Sequence, residues 1–231
     1  MRLSAIDPNI IFSLATIIII IITAYLYTKY LENEDTSLKQ GLTIGIIWLL
    51  IISIGSIIIN NIILGKTLDI SYYIYLLFIP IITIGQTYTK NLELPSTYYT
   101  KINLKQVILY GLIICVIFFI IYEIIGLHGI KPVGSGLDLF NTRLFLEIVI
   151  FGTIFGILYI KNNPETTARE TLIVGIIWMA IIILLDMVII VIGLIYLTPA
   201  QYLIVYPIDY LTFPIIMGSL GSALELGNTL L

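Results

Sequence analysis

Apolar runs alternate with short polar stretches from one end of this chain to the other, and these runs dictate its architecture. They fall at residues 10–27, 42–64, 70–88, 107–127, 144–160, 172–196 and 206–224. A bilayer-spanning helix needs about 17–25 mainly apolar residues, so the pattern predicts an all-α integral membrane protein with seven transmembrane helices. The polar stretches are LENEDTSLKQ after the first run, residues 89–106 after the third, and HGIKPVGSGLDLFN after the fourth. The last of these is rich in Gly and Pro and predicts an irregular loop. Pro80 and Pro214 fall near the middle of the third and seventh runs, where each would remove a backbone hydrogen bond and kink its helix.

The chain also says one thing twice. LKQGLTIGIIWLLIISIGS at 38–56 matches ARETLIVGIIWMAIIILLD at 168–186: Lys39 aligns with Arg169, Gly45-Ile-Ile-Trp48 with Gly175-Ile-Ile-Trp178, and Ser56 with Asp186. Leu26-Tyr27-Thr28-Lys29 resembles Leu158-Tyr159-Ile160-Lys161, and Asp35-Thr36-Ser37 resembles Glu165-Thr166-Thr167, a polar helix start in each case. The segment around Pro80 likewise resembles that around Pro214. These matches predict two three-helix units, residues 1–104 and 142–231, with a fourth helix and an outer loop in 105–141 between them. A single linking span makes both units cross in the same direction, giving a 3+1+3 order with a parallel repeat, an architecture that some transporters use.

Composition agrees with a lipid environment. Of 231 residues, 59% are hydrophobic and 11% charged, with a mean hydropathy of +1.09; soluble domains carry about 25% charged residues. The net charge of −3 is spread thinly, so no basic block points to nucleic acid. The chain has one cysteine, Cys115, and one histidine, His128, which excludes an internal disulfide and argues against a Cys/His metal site. No cofactor motif or hydrolase signature is present, and catalysis is not expected. The first apolar run ends at Tyr25, Tyr27 and Lys29 with no small-residue cleavage site after it, so a retained first span is expected. Lys and Arg number four on the face holding the N-terminus and seven on the other. By the positive-inside bias the N-terminus is outside and the C-terminus cytoplasmic, in a cell membrane.

Candidate chemistry starts with Asp186, a carboxylate in an apolar run where Ser56 is its counterpart. Ionisable residues inside membranes are costly and usually face a cavity or a partner, so Asp186 is a candidate for binding a cation or substrate. A structural hydrogen bond to another helix is the bland alternative. Glu123 and Glu147 lie at the outer ends of the fourth and fifth runs and are secondary candidates. Pro80 and Pro214 are candidate hinges, and Trp48 and Trp178 candidate anchors at the membrane interface.

The topology is similar to that of the SWEET sugar transporters, and the similarity ends there. Their Pro-Gln signature is absent from the first helix of each half, and the prolines here lie in the third. Two functions therefore remain open. One is a small secondary transporter or permease for an ion or small molecule. The other is a non-catalytic subunit or scaffold, docking partner helices or a second copy through glycine-rich faces such as Gly41-x-x-x-Gly45 and Gly152-x-x-x-Gly156.

Overall fold

The computed structural model describes residues 8–33, 35–58, 73–74, 76–92, 102–124, 135–191, 202 and 207–229, with the side chains of 8–13, 15–16, 122–124, 135–143, 190–191 and 228–229 outside that description. Among the described residues, seven helices follow in order: α1 (Pro8–Leu31), α2 (Leu38–Ile57), α3 (Phe78–Lys90), α4 (Leu104–Ile124), α5 (Ser135–Asn162), α6 (Ala168–Val191) and α7 (Thr212–Thr229). Among the described residues there is no strand. Among the described residues, four stretches are long and apolar enough to cross a membrane: Leu38–Ile57, Leu104–Ile121, Leu144–Asn162 and Ala168–Ile189. The apolar part of α1, Ile17–Leu31, is shorter. The chain is thus an all-helical membrane protein.

Helix α3 packs on α1, α2, α5 and α7, and α7 packs on α1, α3, α5 and α6. These two are the centre of the bundle, and that position explains their composition. Helix α3 carries Thr83, Gln86, Thr87, Thr89 and Lys90, all buried. Polar side chains survive at membrane depth when protein, rather than lipid, surrounds them. Helices α2, α4 and α6 turn Ile46, Leu50, Ile54, Ile108, Leu112, Val116, Leu184 and Val188 outward instead. Such an apolar surface is at home against acyl chains and would not be tolerated in water.

Cross-contacts fix the directions of the helices. The Tyr27 hydroxyl meets Thr87 Oγ1 at 2.8 Å, Asn91 Nδ2 donates to the Thr36 carbonyl at 3.1 Å, and Asn163 Nδ2 donates to Gln106 Oε1 at 2.7 Å. The Ala168 N–H donates to Glu225 Oε1 at 2.7 Å. One end of the bundle therefore collects the C-termini of α1, α3, α5 and α7 with the N-termini of α2, α4 and α6. Lys29, Lys39, Lys90, Lys105, Lys161 and Arg169 all belong to that end.

Local sequence accounts for how α2 and α6 begin. The Gln40 N–H donates to Ser37 Oγ at 3.3 Å, and the Ser37 N–H to Gln40 Oε1 at 2.7 Å. At α6 the Glu170 N–H donates to Thr167 Oγ1 at 3.2 Å, and the Thr167 N–H to Glu170 Oε2 at 2.9 Å. Each is a capping box, which satisfies two N–H groups that the helix leaves without partners. Both helices then pass a proline closely. A Cβ on Gly45 would stand 2.6 Å from Pro80 Cα, and one on Gly175 would stand 2.5 Å from Pro214 Cα. Glycine is required at both positions because the proline Cα that each faces is backbone and cannot rotate away. Gly41 meets Thr87 on α3, while Gly221 on α7 meets Thr171 on α6. The same small-against-threonine contact is made in both helix pairs, with the partners exchanged.

Pro80 is the third residue of α3 and Pro214 the third of α7. Helical residues precede both, at 73–74 and 207–210, and the helix is interrupted just ahead of each proline, at 76–77 and at Leu211, where a proline removes a backbone bond to the preceding turn. Leu77 N–H donates to the Ile74 carbonyl and Leu211 N–H to the Ile208 carbonyl, both at 3.1 Å, in tight turns that separate α3 and α7 from what precedes them. One correction concerns the loop expected up to Asn141: α5 is already helical from Ser135. A helix end outside the apolar stretch tolerates polar residues such as Asn141 and Arg143, so hydropathy undercounts its length.

Candidate functional site

Asp186 lies on α6, partly buried, about 27 Å along the helix from Ala168 and about 12 Å beyond Trp178 at 1.5 Å per residue. It is therefore nearer the end opposite the basic cluster. Two phenols hold it. Tyr202 donates its hydroxyl to Asp186 Oδ2 at 2.8 Å, and Tyr210 donates to the same oxygen at 2.5 Å. Tyr202 and Tyr210 are buried in the cluster built on Phe118, Trp178, Ile182 and Phe213, against which Cys115 and Met187 pack. Hydrogen bonds to charged groups are each worth about 1.5–3 kcal/mol. Two donors therefore converge on one oxygen of the carboxylate and hold its orientation.

The remaining candidates lie on other elements. Glu147 is buried on α5, with 8% exposure, and Asp209, next to Tyr210 in the chain, is buried to 2%. Ser56 is half-buried on α2, a helix that does not pack on α6. Glu123 belongs to α4 by its backbone, and its side chain lies outside the described residues. Pro80 and Pro214 stand at the helix starts already described, against the glycines of α2 and α6.

The two tryptophans make different contacts. Trp178 is completely buried, donates its Nε1–H to the Val107 carbonyl at 2.9 Å and meets Phe213 edge-on. Trp48 is half-buried and packs edge-on against Tyr27. Each lies near the midpoint of its apolar stretch, Leu38–Ile57 or Ala168–Ile189, rather than at a headgroup boundary. They pack between helices of the bundle. The physical reason is that the capping boxes start α2 and α6 earlier than hydropathy suggests, which moves both indoles inward.

Sequence reasoning missed the phenols because they lie 16 and 24 residues beyond Asp186. The signal available was a pair of tyrosines shortly after a run that contains an acid. It also missed Gln86, which is fully buried on α3. Gln86 Nε2 donates to Thr28 Oγ1 at 2.8 Å and to the Ala24 carbonyl at 3.2 Å. Among the described residues, no group of three or more His, Cys, Asp or Glu side chains is placed to hold a metal ion. Compared with known proteins, the chain matches no family model, no curated protein and no solved structure.

Proposed function

We propose that the protein is a small secondary transporter or channel-like permease in which Asp186 binds the transported or coupling cation. The observation that carries this reading is the carboxylate itself, held by Tyr202 and Tyr210 inside a membrane-embedded helix bundle. A carboxylate costs on the order of 3 kcal/mol at membrane depth, and such groups usually mark ion or proton pathways. Its counterpart in the matched segment is Ser56, so only one half supplies a charge.

The reading takes the chain to be two like units, residues 1–104 and 142–231, running the same way on either side of α4. Paired features support it: the capping boxes at Ser37 and Thr167, the Gly45–Pro80 and Gly175–Pro214 approaches, and the turns at Leu77 and Leu211. The tight turns ahead of Pro80 and Pro214 are the hinges of this scheme, each letting a central helix tilt against its glycine-bearing neighbour. The basic end faces the cytoplasm, which leaves the N-terminus outside and Asp186 towards the outer side.

A non-catalytic scaffold is the second reading, and one observation weighs against it. The glycine faces that would dock partners are used within the chain: Gly41 and Gly45 by α3, Gly152 and Gly156 by α7, and Gly221 by α6. The test is proton or sodium flux into proteoliposomes, comparing wild type with Asp186→Asn at equal folding and incorporation. The amide oxygen of Asn still accepts from both phenols, so the substitution removes charge with little change of shape. Flux that vanishes in the variant supports the reading. No flux above empty liposomes under either gradient overturns it.

A further inference from the structure

Among the described residues, no Lys or Arg pairs with Asp186, whose polar contacts are the hydroxyls of Tyr202 and Tyr210. Helices α4 and α7 pack on α6. The titratable groups brought to Asp186 are those two phenols and the Cys115 thiol of α4, which lies within electrostatic reach of the carboxylate. Asp209, beside Tyr210 in the chain, is buried, and the side chain of Glu123 on α4 lies outside the described residues. A carboxylate enclosed without a counter-charge is neutralised by a metal cation or by a proton.

The surroundings distinguish the two. A metal cation exchanges its water for several oxygens, which membrane transporters supply from unwound backbone carbonyls. Helix α6 runs without a break from Ala168 to Val191, so the carbonyls on either side of Asp186 are engaged in its own hydrogen bonds. Both phenols direct their protons at Oδ2, where a metal ion would need bare lone pairs. Cys115 and Met187, packed on the same cluster, offer sulfur, which hard cations do not favour. A proton needs no such shell. The Tyr210 bond, at 2.5 Å, has the length of a charge-assisted O–H···O⁻ bond, and such bonds are about twice as strong as neutral ones. Neutralising the carboxyl therefore weakens its hold on the phenols. Tyr210 directly precedes Leu211, whose N–H closes the turn onto the Ile208 carbonyl ahead of α7. Asp186 thus ties the approach to α7 onto α6 with a strength set by its charge.

We infer that the cation taken by Asp186 is a proton, and that its uptake loosens Tyr202 and Tyr210 and frees the turn ahead of α7. The step adds one proton to the carboxylate and returns it on release, with no other covalent bond made or broken. Its purpose rests on the transport reading, but proton uptake is measurable without transport.

The test records infrared difference spectra of the full chain in lipid nanodiscs as the pH is stepped. A carboxylic-acid C=O component should grow as the pH falls, be missing in Asp186→Asn, and keep its midpoint when choline chloride replaces sodium chloride. Tyr210→Phe removes a donor that favours the anion, so the midpoint should rise by about one to two pH units. Tyr202→Phe should move it the same way and serves if Tyr210→Phe does not fold. A midpoint lowered by sodium, or no titrating component that Asp186→Asn removes, overturns the proposal. Midpoints unmoved by both phenol changes overturn the release step. In proteoliposomes a pH gradient should drive flux, and a sodium gradient at equal pH should not. Flux on sodium alone overturns the proton while keeping the transport reading. No flux under either gradient removes the transport reading and leaves the infrared titration to decide the proton.

Discussion

Adding one methyl group at Gly175 tests the packing scheme most directly. Its Cβ would stand 2.5 Å from Pro214 Cα and 2.8 Å from both the Phe213 carbonyl oxygen and Pro214 N. Carbon atoms rest at about 3.5–4.0 Å, so α6 and α7 would have to separate by roughly 1 Å along their most extensive contact. Overpacking of this kind costs typically 1–3 kcal/mol, and the upper part applies because all three facing atoms are backbone. Alanine returns about 1 kcal/mol through its better helix propensity, leaving a net loss of about 2 kcal/mol. In a chain of 150–250 residues each kcal/mol moves the melting temperature by about 2–4 °C, so Gly175→Ala should melt about 4–8 °C lower in detergent. Gly55→Ala is the control, since a Cβ there meets nothing within 4 Å and the propensity gain stands alone. It should melt at or a few degrees above the wild-type temperature. If Gly175→Ala and Gly55→Ala melt together, the close approach of α6 to the start of α7 is wrong.

Other consequences follow from single contacts. Tyr210→Phe removes one of the two donors to Asp186 and should lower stability by about 1.5–3 kcal/mol. In an Asp186→Leu background the same change should cost much less, a coupling that a double-mutant cycle measures directly. Trp178→Phe keeps an aromatic ring but loses the bond to the Val107 carbonyl and part of a fully buried side chain, so thermal unfolding should show a loss of at least about 1 kcal/mol. Ser37→Ala and Thr167→Ala each open a capping box, and each should cost about 1 kcal/mol in the same assay. Equal stability of these two variants and wild type would show that the bundle, not the cap, sets where α2 and α6 begin.

The sequence by itself determined the membrane class, the number of helices and the places where two of them start. Those features depend on local chemistry: apolar run length for the spans, and Ser37 with Gln40 or Thr167 with Glu170 for the starts. It also singled out Asp186, because a carboxylate inside an apolar run is visible without any fold. Which face of each helix turns inward was left to the tertiary structure. Helices α2, α4 and α6 are apolar all the way round, and lipid is as apolar as a neighbouring helix, so hydropathy carries no inward signal there. Only packing placed α3 and α7 at the centre, turned Trp178 onto Val107, and set Pro80 and Pro214 against the glycines of α2 and α6. Packing also brought Tyr202 and Tyr210 to Asp186 and left Gln86 Oε1 without a donor. Those contacts join residues far apart in the chain, where geometry rather than local pattern decides what meets.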